Sequence, residues 1–235
     1  MRNSSLPLKA TGFSCSNTIR IPNLDLERIE KHGCRHYVID DQGTAVPSVT
    51  SVLGAKDDGS LDAWVQRVGE KEAERISRTS ANKGTQVHLM CENRLNNIEM
   101  PKSISPMARL EYRSIERYLD NIDNIIGTEL RLFSKTIGMA GTADCVAEYN
   151  GRPAIIDFKT SRRMKKRDWI QNYFAQATAY AIMVYELFDI ECHDLVIIIG
   201  NPEGGQVFIE KPADHYEYLM ECKKEFDERI KQRQH

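Results

Sequence analysis

The chain is predicted to be an α/β protein, with a central mixed sheet flanked by helices and a small N-terminal hairpin and helical extension. Two patterns predict this class. Strand-like alternation over 128–134, 140–149 and 153–160 follows a helical first half, and a second helix and two further strands come next. Residues 168–188 are apolar nearly all round, which is typical of a helix buried against a sheet. This order favours a mixed sheet over a doubly wound parallel one.

The N-terminal half is predicted to contain a hairpin and three helices. Residues 35–39 and 44–52 flank a turn at 40–43. The first helix carries Leu61, Trp64, Val65, Val68 and Ile76 at helical spacing, with Asp57, Asp58 or Ser60 as N-cap. The second begins near Gly84 and places Gly84, His88, Cys91 and Leu95 on one face. The third carries Ala108, Tyr112, Ile115, Leu119, Ile122 and Ile126.

The C-terminal half continues with a buried strand, a turn, a strand and a polar helix. The apolar run 195–199 is typical of an interior strand. Asn201-Pro202 and Gly204-Gly205 predict a turn, a further strand covers about 206–210, and a polar helix closes the chain.

Asn150-Gly151 predicts a tight hairpin, because a type I′ turn needs positive φ at both central residues. A two-residue turn sets the register, so Asp144 is predicted opposite Asp157, and Thr142 opposite Lys159. Like charges so placed destabilise a sheet, and a cation between them would relieve the repulsion. The alternative is that both acids are solvent-exposed and neutralised by nearby Lys or Arg. The other face, with Ala143, Cys145 and Ala147 against Ala154, Ile156 and Phe158, is predicted to be the core side.

Composition is that of an ordinary globular protein. The 235 residues are 28% charged, with a net charge of −2, which argues against wholesale coating of nucleic acid but leaves room for a local basic groove. No apolar run is long enough to span a bilayer, so no membrane contact is expected. The six cysteines are dispersed without any C-x-x-C, so free thiols and no metal–cysteine site are expected. The basic, acid-free first 24 residues are interpreted as an irregular arm; a transit peptide is the alternative.

Four motifs resemble those of the PD-(D/E)XK nuclease superfamily. Gly141-Thr142-Ala143-Asp144 and Asp157-Phe158-Lys159 are similar to its D-x(n)-(D/E)-x-K signature. Gly84-Thr85-Gln86-Val87-His88 and Gln176-Ala177-Thr178-Ala179-Tyr180 resemble the G-T-x-x-H and Q-x-x-x-Y motifs of the RecB-like branch. The run Asp144-Cys145-Val146-Ala147-Glu148-Tyr149, together with Pro47-Ser48-Val49-Thr50, is most similar to mitochondrial genome maintenance exonucleases and their bacteriophage relatives. The resemblance implies a restriction-endonuclease-like core over 56–235, after an N-terminal arm and hairpin over 1–55.

The resemblance also implies roles for the motif residues. Asp144, Asp157, His88 and the backbone carbonyl of Phe158 would bind Mg²⁺ or Mn²⁺, and imidazole favours Mn²⁺. Lys159 would position or deprotonate the attacking water, with a pKa lowered by the metal. Gln176 and Tyr180 would orient Lys159 or a phosphate. The alternatives are a satisfied core histidine at 88 and a buried polar pair at 176 and 180. Glu129 is a further candidate acid. No iron–sulfur cluster is expected, although some relatives hold one, because no cysteines are clustered.

A basic run follows the predicted strand 153–160, which carries Asp157 and Lys159. This run is the predicted DNA-binding segment, although such runs are usually only solvated surface. Trp169, Tyr173 and Phe174 would provide a platform for unpaired bases, or else pack in the core. The residues predicted to bind DNA are Thr160, Ser161, Arg162, Arg163, Lys165, Lys166 and Trp169.

The sequence therefore predicts a metal-dependent DNA exonuclease that prefers single-stranded DNA or flaps in replication, repair or recombination. The alternatives are a double-strand recombination exonuclease, a structure-specific endonuclease, a structural metal site and a catalytically inactive DNA-binding module. DNA and proteins of replication or recombination are the expected partners, and a monomer is favoured. The expected location is the cytoplasm (of a host cell, if phage-encoded) rather than the mitochondrial matrix.

Overall fold

The computed structural model describes Phe13, residues 21–56 and residues 59–233. The predicted N-terminal arm therefore lies almost wholly outside the described residues, as do two of the three predicted N-caps, Asp57 and Asp58. The predicted α/β class is confirmed: a five-stranded mixed sheet is flanked by helices, and a three-stranded antiparallel sheet precedes it.

The small sheet has the order β1-β2-β3, where β1 is Arg28–Lys31, β2 is Cys34–Val38 and β3 is Ala45–Pro47. The second strand of the predicted hairpin, 44–52, is shorter in the structure. It ends at Pro47, because helix α1, Val49–Leu53, begins two residues later. Ser48 caps that helix: its Oγ accepts a hydrogen bond of 3.0 Å from the backbone N–H of Ser51. The strand β1 was not predicted.

Three longer helices follow, α2 (Ser60–Val68), α3 (Glu70–Leu95) and α4 (Pro106–Leu119). Gly59 is the N-cap of α2, so Ser60 is its first residue rather than its cap. The prediction that a helix begins near Gly84 was wrong, because α3 runs through that residue. The prediction that α4 reaches Ile126 was also wrong. Asp120 ends α4, and Ile122 already belongs to a strand.

The main sheet has the strand order β4-β5-β6-β7-β8. The β6–β7 pair is parallel and the other pairs are antiparallel. Helix α5, Gln171–Phe188, connects the two parallel strands, and α6, Tyr216–Arg233, ends the chain. The strands are β4 (Ile122–Ser134), β5 (Met139–Tyr149), β6 (Arg152–Thr160), β7 (Asp194–Asn201) and β8 (Gly204–Glu210).

Each face of this sheet is covered by its own apolar layer. One cluster joins α1, α5 and α6 to side chains such as Val146, Ile155 and Ile197. The other joins α3 and α4 to side chains such as Ile156 and Ile198. All eight residues of β7 are buried, as predicted for an interior strand. Among the described residues, no helix is long and apolar enough to cross a lipid bilayer.

The Asn150-Gly151 turn adopts the predicted geometry, with φ of 51° and 76°. The register follows: Tyr149 pairs with Arg152, Ala147 with Ala154 and Cys145 with Ile156. The pairing of β5 with β6 ends at this last pair. The predicted pairs Asp144–Asp157 and Thr142–Lys159 therefore lie beyond the paired ladder, where the two strands separate.

Helix α4 crosses β8 so closely that Gly205 has no room for a side chain. A Cβ there would overlap the backbone oxygen of Ser114 and approach the Tyr118 ring to 2.7 Å. Gly84, inside α3, is less confined, because a Cβ would lie 3.7 Å from Thr160 Oγ1.

We expect Gly205→Ala to lower the free energy of unfolding by about 2–3 kcal/mol, because backbone must move to admit the methyl group. Gly84→Ala is the matched control and should be neutral or stabilising by up to about 1 kcal/mol, since glycine is unfavourable inside a helix. Urea unfolding followed by circular dichroism measures both. Equal effects of the two variants would contradict the close approach of α4 to β8.

Candidate metal centre and active site

The candidate site lies beneath the middle of α3, where that helix crosses β4, β5 and β6. Helix α3 contributes His88, one turn beyond Gly84. Gly84 faces the end of β6, where a Cβ on it would lie 3.7 Å from Thr160 Oγ1. His88 also makes an edge-to-face contact with Phe158, with ring centroids 6.3 Å apart, so its imidazole is held against the strand that carries Asp157 and Lys159.

Three potential metal ligands converge here: the ligand atoms of His88, Glu129 and Asp144 all lie within 4.8 Å of one another. Glu129 falls between the pairs Thr128–Cys145 and Leu130–Ala143, so its place in the β4–β5 register is opposite Asp144. It has φ of 48°, a left-handed conformation that a non-glycine residue rarely adopts. Backbone strain of this kind concentrates at functional sites.

The side-chain alternation of β5 changes at the same position. Ala143 packs in the cluster with α5, whereas Cys145 packs in the cluster with α3 and α4. The prediction that Ala143 and Cys145 share the core face was therefore wrong. A regular strand would bury both on one side; the distortion at Glu129 and Asp144 separates them, and the other predicted core-face residues remain together.

Asp157 is nearly inaccessible, with 1% of its surface exposed. Its Oδ1 accepts a hydrogen bond of 3.1 Å from Gln176 Nε2, and its Oδ2 forms an ion pair with the Lys159 ammonium. Asp144 is tied to the same strand differently, since its Oδ2 accepts a hydrogen bond of 2.8 Å from the backbone N–H of Phe158. The two aspartates are thus neighbours across the end of the ladder, although not a cross-strand pair.

Gln176 and Tyr180 share a face of α5, as predicted, but Gln176 binds Asp157 rather than Lys159. Gln176 Nε2 lies 3.4 Å from the Tyr180 hydroxyl as well as within reach of Asp157. Tyr180 is 2% exposed, so it is not placed to bind a phosphate. A Cβ on Gly141 would lie 2.8 Å from the Tyr180 ring, which accounts for glycine at that position of β5. Both side chains are therefore placed as positioning groups.

Burial and mutual repulsion raise the pKa values of two of the acids, whereas nearby cations and a backbone N–H lower the pKa of the third. Burial, reinforced by Asp144, raises the pKa of Glu129 to about 7. Burial also raises the pKa of Asp157 to about 6; Lys159 opposes this shift, and Asp144 adds to it. Although burial acts against it, the pKa of Asp144 is lowered by His88, Lys159 and the Phe158 N–H. Glu129 therefore takes up a proton near neutral pH, Asp157 does so only as the pH falls toward 6, and Asp144 stays ionised.

The cations respond to these acids. Burial opposes the charge on His88, but the Asp144 carboxylate outweighs it and raises the His88 pKa. Burial likewise opposes the charge on Lys159, and Asp157 and Asp144 together raise its pKa. The predicted lowering of the Lys159 pKa depended on a neighbouring metal ion. With the carboxylates alone, Lys159 is an ammonium.

The donor set fits a divalent cation. Two carboxylates and an imidazole line a cavity of 510 Å³ together with Gly84, Thr85, Leu89 and Glu92. Oxygen ligands suit Mg²⁺ and Mn²⁺, and the imidazole shifts the preference toward Mn²⁺. Among the described residues, Asp157 does not belong to this close group, and Glu129, a minor candidate from sequence, does. No sequence pattern indicated the left-handed φ that places Glu129 opposite Asp144.

The predicted DNA-binding segment follows β6 and is well anchored. The Ser161 hydroxyl donates a hydrogen bond of 2.7 Å to the Arg163 carbonyl. Gln206 holds the backbone of Lys165 from both sides, at 2.7 and 2.9 Å. Within the described part of the chain, no carboxylate forms an ion pair with Arg162, Arg163, Lys165 or Lys166, whereas Arg167 binds Glu210. The unpaired cations form an exposed basic loop, 162–166.

Of the three predicted stacking aromatics, only Trp169 is exposed. It is 62% accessible, and Lys166 Nζ lies 5.3 Å from its ring. Phe174 is fully buried beside His215, so its predicted role as a platform was wrong. Tyr173 is half-buried, and Lys159 Nζ lies 5.3 Å from its ring. Core packing therefore accounts for Phe174, and a cation–π contact accounts for Tyr173.

Comparison with known proteins finds relatives for most of this chain. It is 27% identical over 214 residues to mitochondrial genome maintenance exonuclease 1 of Xenopus tropicalis, covering 86% of this chain and 57% of the relative. It is 28% identical over 181 residues to the protein of the same name from Homo sapiens, covering 70% and 52%. The chain thus spans about half the length of the curated relatives that it matches.

Other comparisons add little. No family model matches the chain. The crystal structure of SSO0001 aligns with a TM-score of 0.39 and 16% identity, over 76% of this chain and 73% of that one. The sequence relatives, together with the order of the four motifs, confirm the predicted resemblance to mitochondrial genome maintenance exonucleases.

Proposed function

We propose that the chain is a divalent-metal-dependent exonuclease of the PD-(D/E)XK type that hydrolyses phosphodiester bonds at DNA ends. The observation that carries this proposal is the convergence of His88, Glu129 and Asp144 next to the Asp157–Lys159 ion pair. A structural metal site would need no exposed basic loop beside it and no lysine among its acids. The names of the relatives support the same activity.

Each residue has a role in this proposal. His88, Glu129 and Asp144 would hold the cation, with Asp157 beside them and the Phe158 carbonyl as a further candidate. A bound cation would supply charge neutralisation for the phosphate and acidify a water molecule. Lys159, as an ammonium, orients the attacking water or donates to a non-bridging phosphate oxygen. Gln176 keeps one Asp157 oxygen occupied, so that the other faces Lys159.

The basic loop and Trp169 support a single-stranded or flapped substrate. Cations without carboxylate partners are free to bind phosphates, and an exposed indole can stack on an unpaired base. An enzyme with this preference would process DNA ends during replication, repair or recombination, together with proteins of those pathways.

We expect Asp144→Asn and Lys159→Ala each to lower the rate of DNA degradation by at least about a hundredfold, because each removes charge from the reacting centre. Lys102→Ala, at an exposed lysine, is the control. End-labelled single- and double-stranded oligonucleotides with Mg²⁺ or Mn²⁺ provide the assay. A closed circular single strand separates the alternatives, because an endonuclease cleaves it and an exonuclease does not. Binding without any cleavage would instead indicate an inactive DNA-binding module.

The raised pKa values of Glu129 and Asp157 predict a pH-dependent metal site. Protonated acids do not bind the cation, so affinity should fall as the pH drops through 7 toward 6, and binding should release protons. Glu129→Gln should weaken binding by about tenfold or more and reduce proton release, whereas Glu203→Gln, at an exposed acid, should do neither. Calorimetric titration with Mn²⁺ in two buffers of different ionisation enthalpy measures both quantities. Unchanged binding in Glu129→Gln would remove this residue from the site.

Arg163 and Arg167 allow a matched test of the basic loop. Arg163→Ala should weaken single-strand binding and reduce the slope of log affinity against log salt by about 0.7, the value for one lost phosphate contact. Arg167→Ala should change the slope little, because its guanidinium is already bound to Glu210. Fluorescence anisotropy over a range of salt concentrations gives the slopes. Equal slopes for the two variants would contradict the assignment of the loop.

A further inference from the structure

A second cavity lies beside the candidate active site, between α3, α4 and the basic loop. We name it the α3–α4 groove. It measures 400 Å³ and is lined by Thr79, Ser80, Lys83, Met107, Glu111, Arg162 and Pro202. The groove adjoins the active site through Lys83, whose chain neighbour Gly84 lines the metal-site cavity and lies against Thr160.

The groove contains a buried acid with one unused oxygen. Glu111 is fully inaccessible, and its Oε1 accepts a hydrogen bond of 2.5 Å from Lys83 Nζ. Its Oε2 has no hydrogen-bond partner among the described residues. Buried polar groups in folded proteins are nearly always paired, so an acceptor without a donor in a residue that lines a cavity is a candidate partner for a donor group of a ligand. Because Oε2 has no accessible surface, a side chain at the wall of the groove must move aside to admit that donor.

The other walls suit the remaining parts of a nucleotide. Met107 is apolar and 49% exposed, and with Pro202 it offers a surface against which a base can lie. Arg162 is exposed and has no carboxylate ion pair among the described residues, so it is available to a phosphate. Glu111 neutralises the charge of Lys83, so Arg162 supplies the positive charge that is available to a ligand in the groove.

We propose that the α3–α4 groove binds one unpaired nucleotide of the substrate strand, with its base on Met107, its phosphate on Arg162 and an exocyclic amino group donating to Glu111 Oε2. This inference rests on the proposed function and adds a base preference to it.

Amino groups are carried by cytosine, adenine and guanine, and thymine lacks one. The N3–H of thymine is flanked by two carbonyl oxygens, which a carboxylate repels. Opening of the Lys83–Glu111 contact is not required, because the two oxygens have separate partners.

The position of the nucleotide follows from the helix. Lys83 precedes His88 by five residues, which is about 8 Å along α3 at 1.5 Å per residue. At 3.4 Å per nucleotide of a stacked strand, the bound nucleotide lies roughly two or three positions from the scissile phosphate.

A single cytidine moved stepwise through an otherwise all-thymidine oligonucleotide tests this geometry. Cleavage by the wild-type chain should accelerate about tenfold at one fixed distance from the cytidine, the effect of one hydrogen bond to a charged acceptor. Glu111→Gln should erase or reverse the preference, because its carbonyl would accept from Lys83 and its amide N–H₂ would then face the base. Arg113→Ala, on the opposite side of α4, should leave the preference intact.

If Glu111→Gln does not fold, Met107→Ala, at an exposed position, replaces it as the test variant. Met107→Ala should weaken binding of the oligonucleotide without altering the preference for cytidine. A uniform cleavage pattern in the wild type, or a preference that survives in Glu111→Gln, would overturn the inference. If the wild type cleaves nothing with either metal, the proposed function fails instead. Equilibrium binding of cytidine- and thymidine-containing oligonucleotides without divalent cation then tests the groove independently of cleavage. Equal affinities for the two oligonucleotides would refute the proposed base preference.

Discussion

The site depends on the burial of several carboxylates at one point of a sheet. Asp144, Glu129 and Asp157 come from three adjacent strands; the first two lie beside His88 of α3, and Asp157 contacts Gln176 of α5. Repulsion between such groups in a region of low polarity would disrupt the sheet if nothing opposed it. His88, Lys159 and the Phe158 N–H supply the compensation, and proton uptake by Glu129 and Asp157 supplies the rest. The protein alone can therefore hold these acids together, and their charges still favour the binding of a cation.

This balance also explains why the supporting residues are of different kinds. The half-buried amide of Gln176 holds Asp157 in one orientation without adding charge, and the hydroxyl of the buried Tyr180 lies against that amide. Gly141 is small because Tyr180 of α5 approaches the strand closely at this position. The apolar layers on both faces then fix the helices, so that a few polar contacts suffice to align the acids.

Much of the fold around the site could be predicted from short sequence patterns. The Asn150-Gly151 turn predicted the β5–β6 register because a two-residue turn leaves no freedom in pairing. The spacing of the residues did not predict where α3 begins or where α4 ends, because the helical pattern continues through Gly84 and Ile122. Tertiary packing decides where these helices begin and end. The position of Glu129 depends on one left-handed residue in a strand, which residue type does not encode. The convergence of His88 with Asp144 was anticipated only through the resemblance to known nucleases.

The continuity of α3 has a mechanical consequence. Its buried residues lie almost entirely in the second half, from Val87 to Leu95, and Ala73 alone is buried in the first. Amide exchange in such a helix should be fast at the free half and slow at the packed half, with fraying that stops near Gly84. His88 sits one turn inside the slow part. The first half of the helix can thus move while the imidazole of His88 stays fixed.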